Sequence, residues 1–229
     1  MSFNEKLVMI LKKMPSLFFG LLLYAVAILL TLYSKMGVSP WDVFHVGVTR
    51  HVSLTFGQVS ILTGFVIIAL SVFLGVVPGL SSILNMIFIG VFIDLINSFS
   101  ILSTPASLPG RIAMLLAGIL MMGWATFFYL RVEMGAGPRD GLMEGLVKKF
   151  NKPVWMIRST IELLALALGF AMGGPVGIGT LLIAFTIGFS VQLAFRMGGY
   201  SSENVQHLDL IQMYRLFRES EKVEKSSAL

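Results

Sequence analysis

The stretch Gly37-Val38-Ser39-Pro40-Trp41-Asp42 returns as Gly135-Ala136-Gly137-Pro138-Arg139-Asp140, and the spacing between them, 98 residues from Gly37 to Gly135, holds without a gap along the chain. At the same offset Gly20 meets Gly118, Pro40 meets Pro138, Asp42 meets Asp140 and Gly47 meets Gly145. The matching continues through Gly75 and Gly173, Gly79 and Gly177, Leu84 and Leu182, Gly90 and Gly188, and Leu95 and Leu193. Glycine and proline mark positions where backbone shape is dictated. Chance coincidence of glycines would not also preserve the pattern Gly-x-x-Pro-x-Asp. The chain reads as two copies of one unit.

Around the repeated turns lie long apolar runs. Hydrophobic residues make up 56% of the 229, charged residues only 13%, and the mean hydropathy is +0.86. A soluble domain carries about 25% charged residues. Six runs approach the roughly 20 residues that cross about 30 Å of hydrocarbon: 16–34, 57–76, 80–99, 112–131, 156–173 and 177–196. They are continuously apolar, without the alternation of a membrane β-barrel. The first run follows Lys12 and Lys13 but is too long for a cleavable signal, so it is read as a span. The expected fold is all-α, with six transmembrane helices arranged as two inverted three-helix repeats and a short helix after each Gly-x-x-Pro-x-Asp turn. Residues 1–99 form the first repeat with the N-terminal tail, 112–196 the second, and 197–229 a cytoplasmic tail, either an amphipathic helix, as the spacing of Leu208, Ile211 and Phe217 allows, or a frayed end.

The inversion follows from parity. Three spans are an odd number, so the second copy enters from the opposite face, the arrangement of many secondary transporters. Charge agrees: with the N-terminus inside, 14 Lys and Arg residues fall on the inner side and 3 (Lys35, Arg50 and Arg111) on the outer, which sets both termini in the cytoplasm. The net charge of +5 is accounted for by helix ends and loops facing anionic lipid, not by nucleic acid. With no cysteine, thiolate metal sites, disulfides and cysteine nucleophiles are excluded.

Ser39 and Gly137 suit helix N-caps, Pro40 and Pro138 the first helical position, and Asp42 and Asp140 the third, where a carboxylate reaches an orphan N–H. Arg139 stands between Pro138 and Asp140. Two arrangements fit: capped helices lying at the interface, or helices dipping back so that their N-termini line a cavity. Within the spans, ionisable groups are costly and mark candidate sites. Asp94 in the third span matches Gln192 in the sixth by the offset, and Asn85 lies on the same helix as Asp94. Glu162 follows Arg158 by four residues, the spacing of a helical ion pair. Asp94 also suits a helix-capping role, and the Arg158–Glu162 pair also suits a structural role at the interface. His45, His51 and His207 read as interfacial or exposed, and no metal spacing, catalytic triad or nucleotide loop is present.

The stretches GVSPWDVFHVG, GAGPRDGLMEGL and GGPVGIGTLL resemble the YczE-like bacterial membrane proteins, often grouped with the YitT family, over roughly residues 15–197. The resemblance implies a polytopic protein of the bacterial cytoplasmic membrane and brings no substrate with it. The function expected is a small secondary transporter or permease of a small-molecule or ion substrate, without catalytic residues, metal or cofactor. Its cavity is expected between the repeats, lined by spans one, three, four and six, with Asp94 as coupling group and Gln192 and Asn85 as substrate contacts. The alternative is a membrane scaffold or accessory subunit acting through its basic loop and tail. The bilayer is the expected partner, with homo-oligomerisation open.

Overall fold

The computed structural model describes residues 3–200 and 207–227, with side chains from 5 to 218 of these. All regular structure among the described residues is helical: α1 (Phe3–Ser34), α2 (Pro40–Thr49), α3 (Phe56–Phe73), α4 (Leu80–Ser98), α5 (Leu108–Leu130), α6 (Pro138–Phe150), α7 (Val154–Ala171), α8 (Ile178–Met197) and α9 (Leu210–Ser227). Six of these, α1, α3, α4, α5, α7 and α8, are long and apolar enough to cross a membrane. The first begins well before residue 16, passing through Pro15 without a break. The others keep the expected bounds to within a few residues.

The surface is apolar where a soluble protein's would be charged. Phe73 is 89% exposed, Phe185 75% and Phe189 71%, on helices whose sequence offers no polar face. Water would penalise such a surface, whereas lipid solvates it. The core is the crossing of α1 and α5. Leu17, Leu21, Ala25 and Ile28 of α1 pack with Met122 and Tyr129 of α5 and with Ile89 and Ile93 of α4. Small residues set the approach: Gly20 lies against the backbone of Ala125 and Tyr129, and Gly118 against Ala27 and Thr31. Without a hydrophobic force between helices in lipid, this close van der Waals fit is what holds them.

Contacts recur at the 98-residue offset, with the partners exchanged. The Gly179 N–H donates to the Met36 carbonyl at 2.7 Å, and the Ser81 N–H to the Met134 carbonyl at 2.8 Å. Gly37 and Gly135 take φ of +114° and +115°, and Gly75 and Gly173 +83° and +82°. Gly37 abuts Gly177 and Thr180 at the start of α8, and Gly135 abuts Gly79 and Ser82 at the start of α4. α2 therefore lies at the end of the bundle where α3 and α8 begin, packed on the end of α7. α6 lies at the opposite end, where α4 and α7 begin, packed on the end of α3. One pairing departs from this correspondence: α3 and α4 pack closely, Gly57 against Gly90 and Gly64 against Met86, whereas α7 and α8 barely touch.

Of the two readings of the tail, the described residues show a helix, α9 (Leu210–Ser227). Before it, Leu208 donates its N–H to the Glu133 carbonyl at 3.0 Å and Leu210 to the Pro78 carbonyl at 3.1 Å, strapping the chain across the α6 end. Lys6 Nζ reaches the Leu216 carbonyl at 2.8 Å. Residues 201–206 of the expected tail lie outside the described residues.

Candidate functional site

α2 begins at Pro40 with Ser39 as N-cap: the Asp42 N–H donates to Ser39 Oγ at 3.3 Å, and the Ser39 hydroxyl donates to Asp42 Oδ2 at 2.5 Å. α6 begins at Pro138, and there the Gly137 N–H donates to Asp140 Oδ2 at 3.2 Å. Proline at the first position loses no bond, because that N–H has no intrahelical acceptor. The carboxylate in each first turn faces the positive end of its helix.

The two helix starts converge on one cavity of about 510 Å³ inside the bundle. All six long helices and both short ones contribute to its wall. This corrects the expected lining: α3 adds Thr63 and Ile67, and α7 adds Arg158 and Glu162, so spans two and five belong to it as well. From α2 come Trp41 and His45, and from α6 come Arg139 and Asp140, with the Arg139 guanidinium over the Trp41 ring, 4.8 Å from its centroid. Chain segments from opposite ends of the bundle thus touch across the cavity. A second cavity of about 670 Å³ at the α6 end shares Gly137, Pro138, Asp140 and Met143 with the first, and the strap residues Leu208 and Asp209 line it.

Of the residues picked from sequence, the structure brings Asn85, Arg158, Glu162, Pro138, Arg139 and Asp140 to the cavity wall. Arg158 Nε lies 3.4 Å from Glu162 Oε1, the i,i+4 pair the spacing called for. Asp94 and Gln192 are not in the wall. Asp94 sits one turn from the end of α4, where Oδ1 accepts the Gly57 N–H at 3.0 Å and Oδ2 the Thr55 hydroxyl. It is thereby engaged in closing the N-terminus of α3 onto α4, where Gly57 meets Gly90 without room for a side chain. The symmetric polar pair separates because Gln192 faces outward from α8. Asp94→Asn keeps the shape and one acceptor but loses the carboxylate's charge. It is expected to lower stability by about 1–2 kcal/mol, in the range of a lost helix cap. A melting curve in detergent checks this; an unchanged melting temperature with lost transport would return Asp94 to the mechanism.

His45 was expected at an interface, and the structure buries it to 2% exposure. Phe56 packs edge-on against its ring at 5.5 Å and Phe44 at 6.0 Å. Its Nδ1 stands 3.7 Å from Asp42 Oδ1, beyond a hydrogen bond, and both ring nitrogens and that oxygen are without a partner. Burial pushes the His45 pKa down, against the pull of Asp42 in the other direction. Burial raises the Asp140 pKa, opposed by Arg158 and the Gly137 N–H. Tyr24 and Tyr129, rings 6.4 Å apart, also line the cavity and make no side-chain hydrogen bond among the described residues. Sequence reading missed both, because a tyrosine in an apolar run carries no spacing that separates a cavity wall from an interface. His45 did leave a trace: it lies three residues after Asp42, on the same face of a short apolar helix.

An all-helical bundle with six long apolar helices and a polar-lined interior defines a polytopic membrane protein. The chain belongs to the family of unknown function DUF6198, whose profile matches residues 11–196. It is 37% identical over 179 residues to the uncharacterized membrane protein YczE of Bacillus subtilis, covering 77% of this chain and 82% of that one. It is likewise 37% identical over 178 residues to an uncharacterized protein of Haemophilus influenzae, covering 76% and 81%. A third relative, the uncharacterized protein YyaS of Bacillus subtilis, is 28% identical over 166 residues, 71% of this chain and 82% of that one. No solved structure matches the chain.

Proposed function

We propose that the protein is a small secondary transporter of the bacterial inner membrane, with both termini cytoplasmic and with residues 1–99 and 112–196 as inverted repeats around a central substrate site. The observation that carries the reading is the cavity of about 510 Å³ onto which α2 and α6 open from opposite ends. Ligand sites occupy roughly 300–1,000 Å³ and combine apolar walls with a few placed polar groups. Half-helix N-termini meeting at the junction of two repeats is a recurring transporter arrangement. The exchanged contacts at the 98-residue offset support the inversion, and the distribution of Lys and Arg supports the orientation.

The unequal hairpins favour transport over a static bundle. α3 and α4 are closed on each other while α7 and α8 are parted. Exchange of these roles between the halves would give the opposite state of an alternating-access cycle. Reconstituted protein is expected to catalyse saturable counterflow of a small organic solute, measured in liposomes against protein-free controls. Because the chain has no cysteine, Arg50→Cys and Lys148→Cys can be labelled singly in spheroplasts, and opposite-side reaction is expected. Same-side labelling would sink the inverted topology, and absence of saturable flux would sink transport.

A scaffold role draws on the docked tail. Truncation from Ser201 onward separates the two readings, because a transporter keeps its cavity while a scaffold loses its contact surface.

A further inference from the structure

Four charged side chains line the central cavity: Arg139, Asp140, Arg158 and Glu162. Three of them have a partner within the fold. Asp140 accepts the Gly137 N–H at the positive end of its own helix. Arg158 and Glu162 form a pair along α7. Arg139 is the exception. Its guanidinium lies over the Trp41 ring, and no carboxylate or carbonyl oxygen among the described residues accepts a hydrogen bond from it. A guanidinium carries five N–H donors in a planar fork, and those of half-buried Arg139 remain open to an acceptor in the cavity.

A second observation is independent of the first. His45, on α2 one turn from Trp41, is buried in the same wall with both ring nitrogens unpartnered. A donor fork held over the Trp41 ring and an imidazole with unpartnered nitrogens leave a polar pocket without its complement. The rest of the wall is mixed: Ile28, Ile67, Ile89 and Ile187 give it apolar surface, beside polar side chains such as Thr63 and Asn85.

Resting on the reading of this cavity as the substrate site, we infer that its ligand is a small organic monocarboxylate with an apolar body, its carboxylate taken by Arg139. The fork's geometry matches a carboxylate in two parallel hydrogen bonds. A single guanidinium without an acceptor selects a monoanion over a dianion, since Asp140 and Glu162 in the same wall oppose a second negative charge. A cation would meet Arg139 with like charge. The isoleucine surface of the wall favours an anion with an apolar body over small, strongly hydrated inorganic anions, which gain nothing from it in place of water.

The test uses three molecules with one body: cyclohexanecarboxylate, cyclohexylmethanol and cyclohexylamine, with inorganic phosphate as a fourth probe. Each is titrated calorimetrically into the purified full-length protein in detergent. The carboxylate is expected to bind saturably and at least tenfold more tightly than the other three. Arg139→Gln is expected to weaken it about 10- to 100-fold, as loss of a charge-assisted pair does, and Arg139→Lys by a smaller factor, keeping the charge but not the fork. Melting curves of both variants report folding, and should Arg139→Gln not fold, Arg139→Lys alone carries the comparison. Equal carboxylate affinity in wild type and folded Arg139 variants overturns the inference. So does tighter binding of the amine, the alcohol or phosphate, or no saturable carboxylate binding. Binding with these preferences but without flux in liposomes would leave this site standing and remove the transport reading.

Discussion

Alanine at Gly37 or at Gly135 is expected to cost on the order of 3 kcal/mol, enough to remove most folded protein from a detergent extract. Two effects add. Both residues hold φ near +115°, a region L side chains rarely adopt and which costs about 1–3 kcal/mol. The added Cβ also meets neighbours that have nowhere to go. At Gly37 these are Thr180 Oγ1 at 2.6 Å and the Gly177 nitrogen at 2.9 Å, and at Gly135 the Gly79 Cα at 2.7 Å. Overpacking of this kind adds about 1–3 kcal/mol. Gly75 is the internal control: its φ is +83°, but nothing lies within 4 Å of an added Cβ. Gly75→Ala should therefore pay only the backbone strain and stay folded. The readout is melting temperature and the monodisperse fraction after extraction. Should Gly37→Ala melt with Gly75→Ala, the close seat of each repeated turn on the opposite half is wrong.

The largest functional effect is expected from Gly188→Trp. Gly188 lines the central cavity, and a Cβ there meets nothing within 4 Å. The indole would occupy the space between α7 and α8 where a ligand would sit. Substitutions that touch no packed feature usually stay within about 0.5 kcal/mol in stability, so folding is expected to match wild type. Binding of cyclohexanecarboxylate and any flux should fall at least tenfold. Its counterpart at the 98-residue offset, Gly90, behaves oppositely. There a Cβ runs into the Gly57 carbonyl and Ile61 across the closed α3–α4 pair, so Gly90→Trp is expected to unfold the protein. A Gly188→Trp protein with full binding and flux would show that the cavity is not the route. A folded Gly90→Trp protein would show that α3 and α4 part as readily as α7 and α8.

The six long helices, their bounds and the two Pro-initiated short helices were legible in the chain because each rests on local physics. Hydrophobic length answers to lipid, and the cap pattern of Ser39, Pro40 and Asp42 satisfies N–H groups within one turn. The Arg158–Glu162 pair was legible for the same reason, being four residues apart on one helix.

Asp94 stayed open in the sequence between a coupling group and a helix cap, because hydropathy values a carboxylate in an apolar run by its cost and does not report the partner that offsets the cost. That partner, the N-terminus of α3, lies 37 residues away from Asp94 along the chain, at Gly57. The burial of His45, read from sequence as interfacial or exposed, was hidden for a similar reason, since it depends on Phe56 of α3 as well as its own helix.

The sequence by itself determined the solvent of this chain, the number of its long apolar helices and the shape of its two repeated turns, since composition, length and capping act over one helix at a time. Only the tertiary structure decided that Arg139 reaches Trp41 from the other end of the bundle, that the helix starts share one cavity, and that α7 and α8 stand apart. Those outcomes depend on packing between segments about a hundred residues apart, where near-identical sequence patterns such as Gly90 and Gly188 take different neighbours.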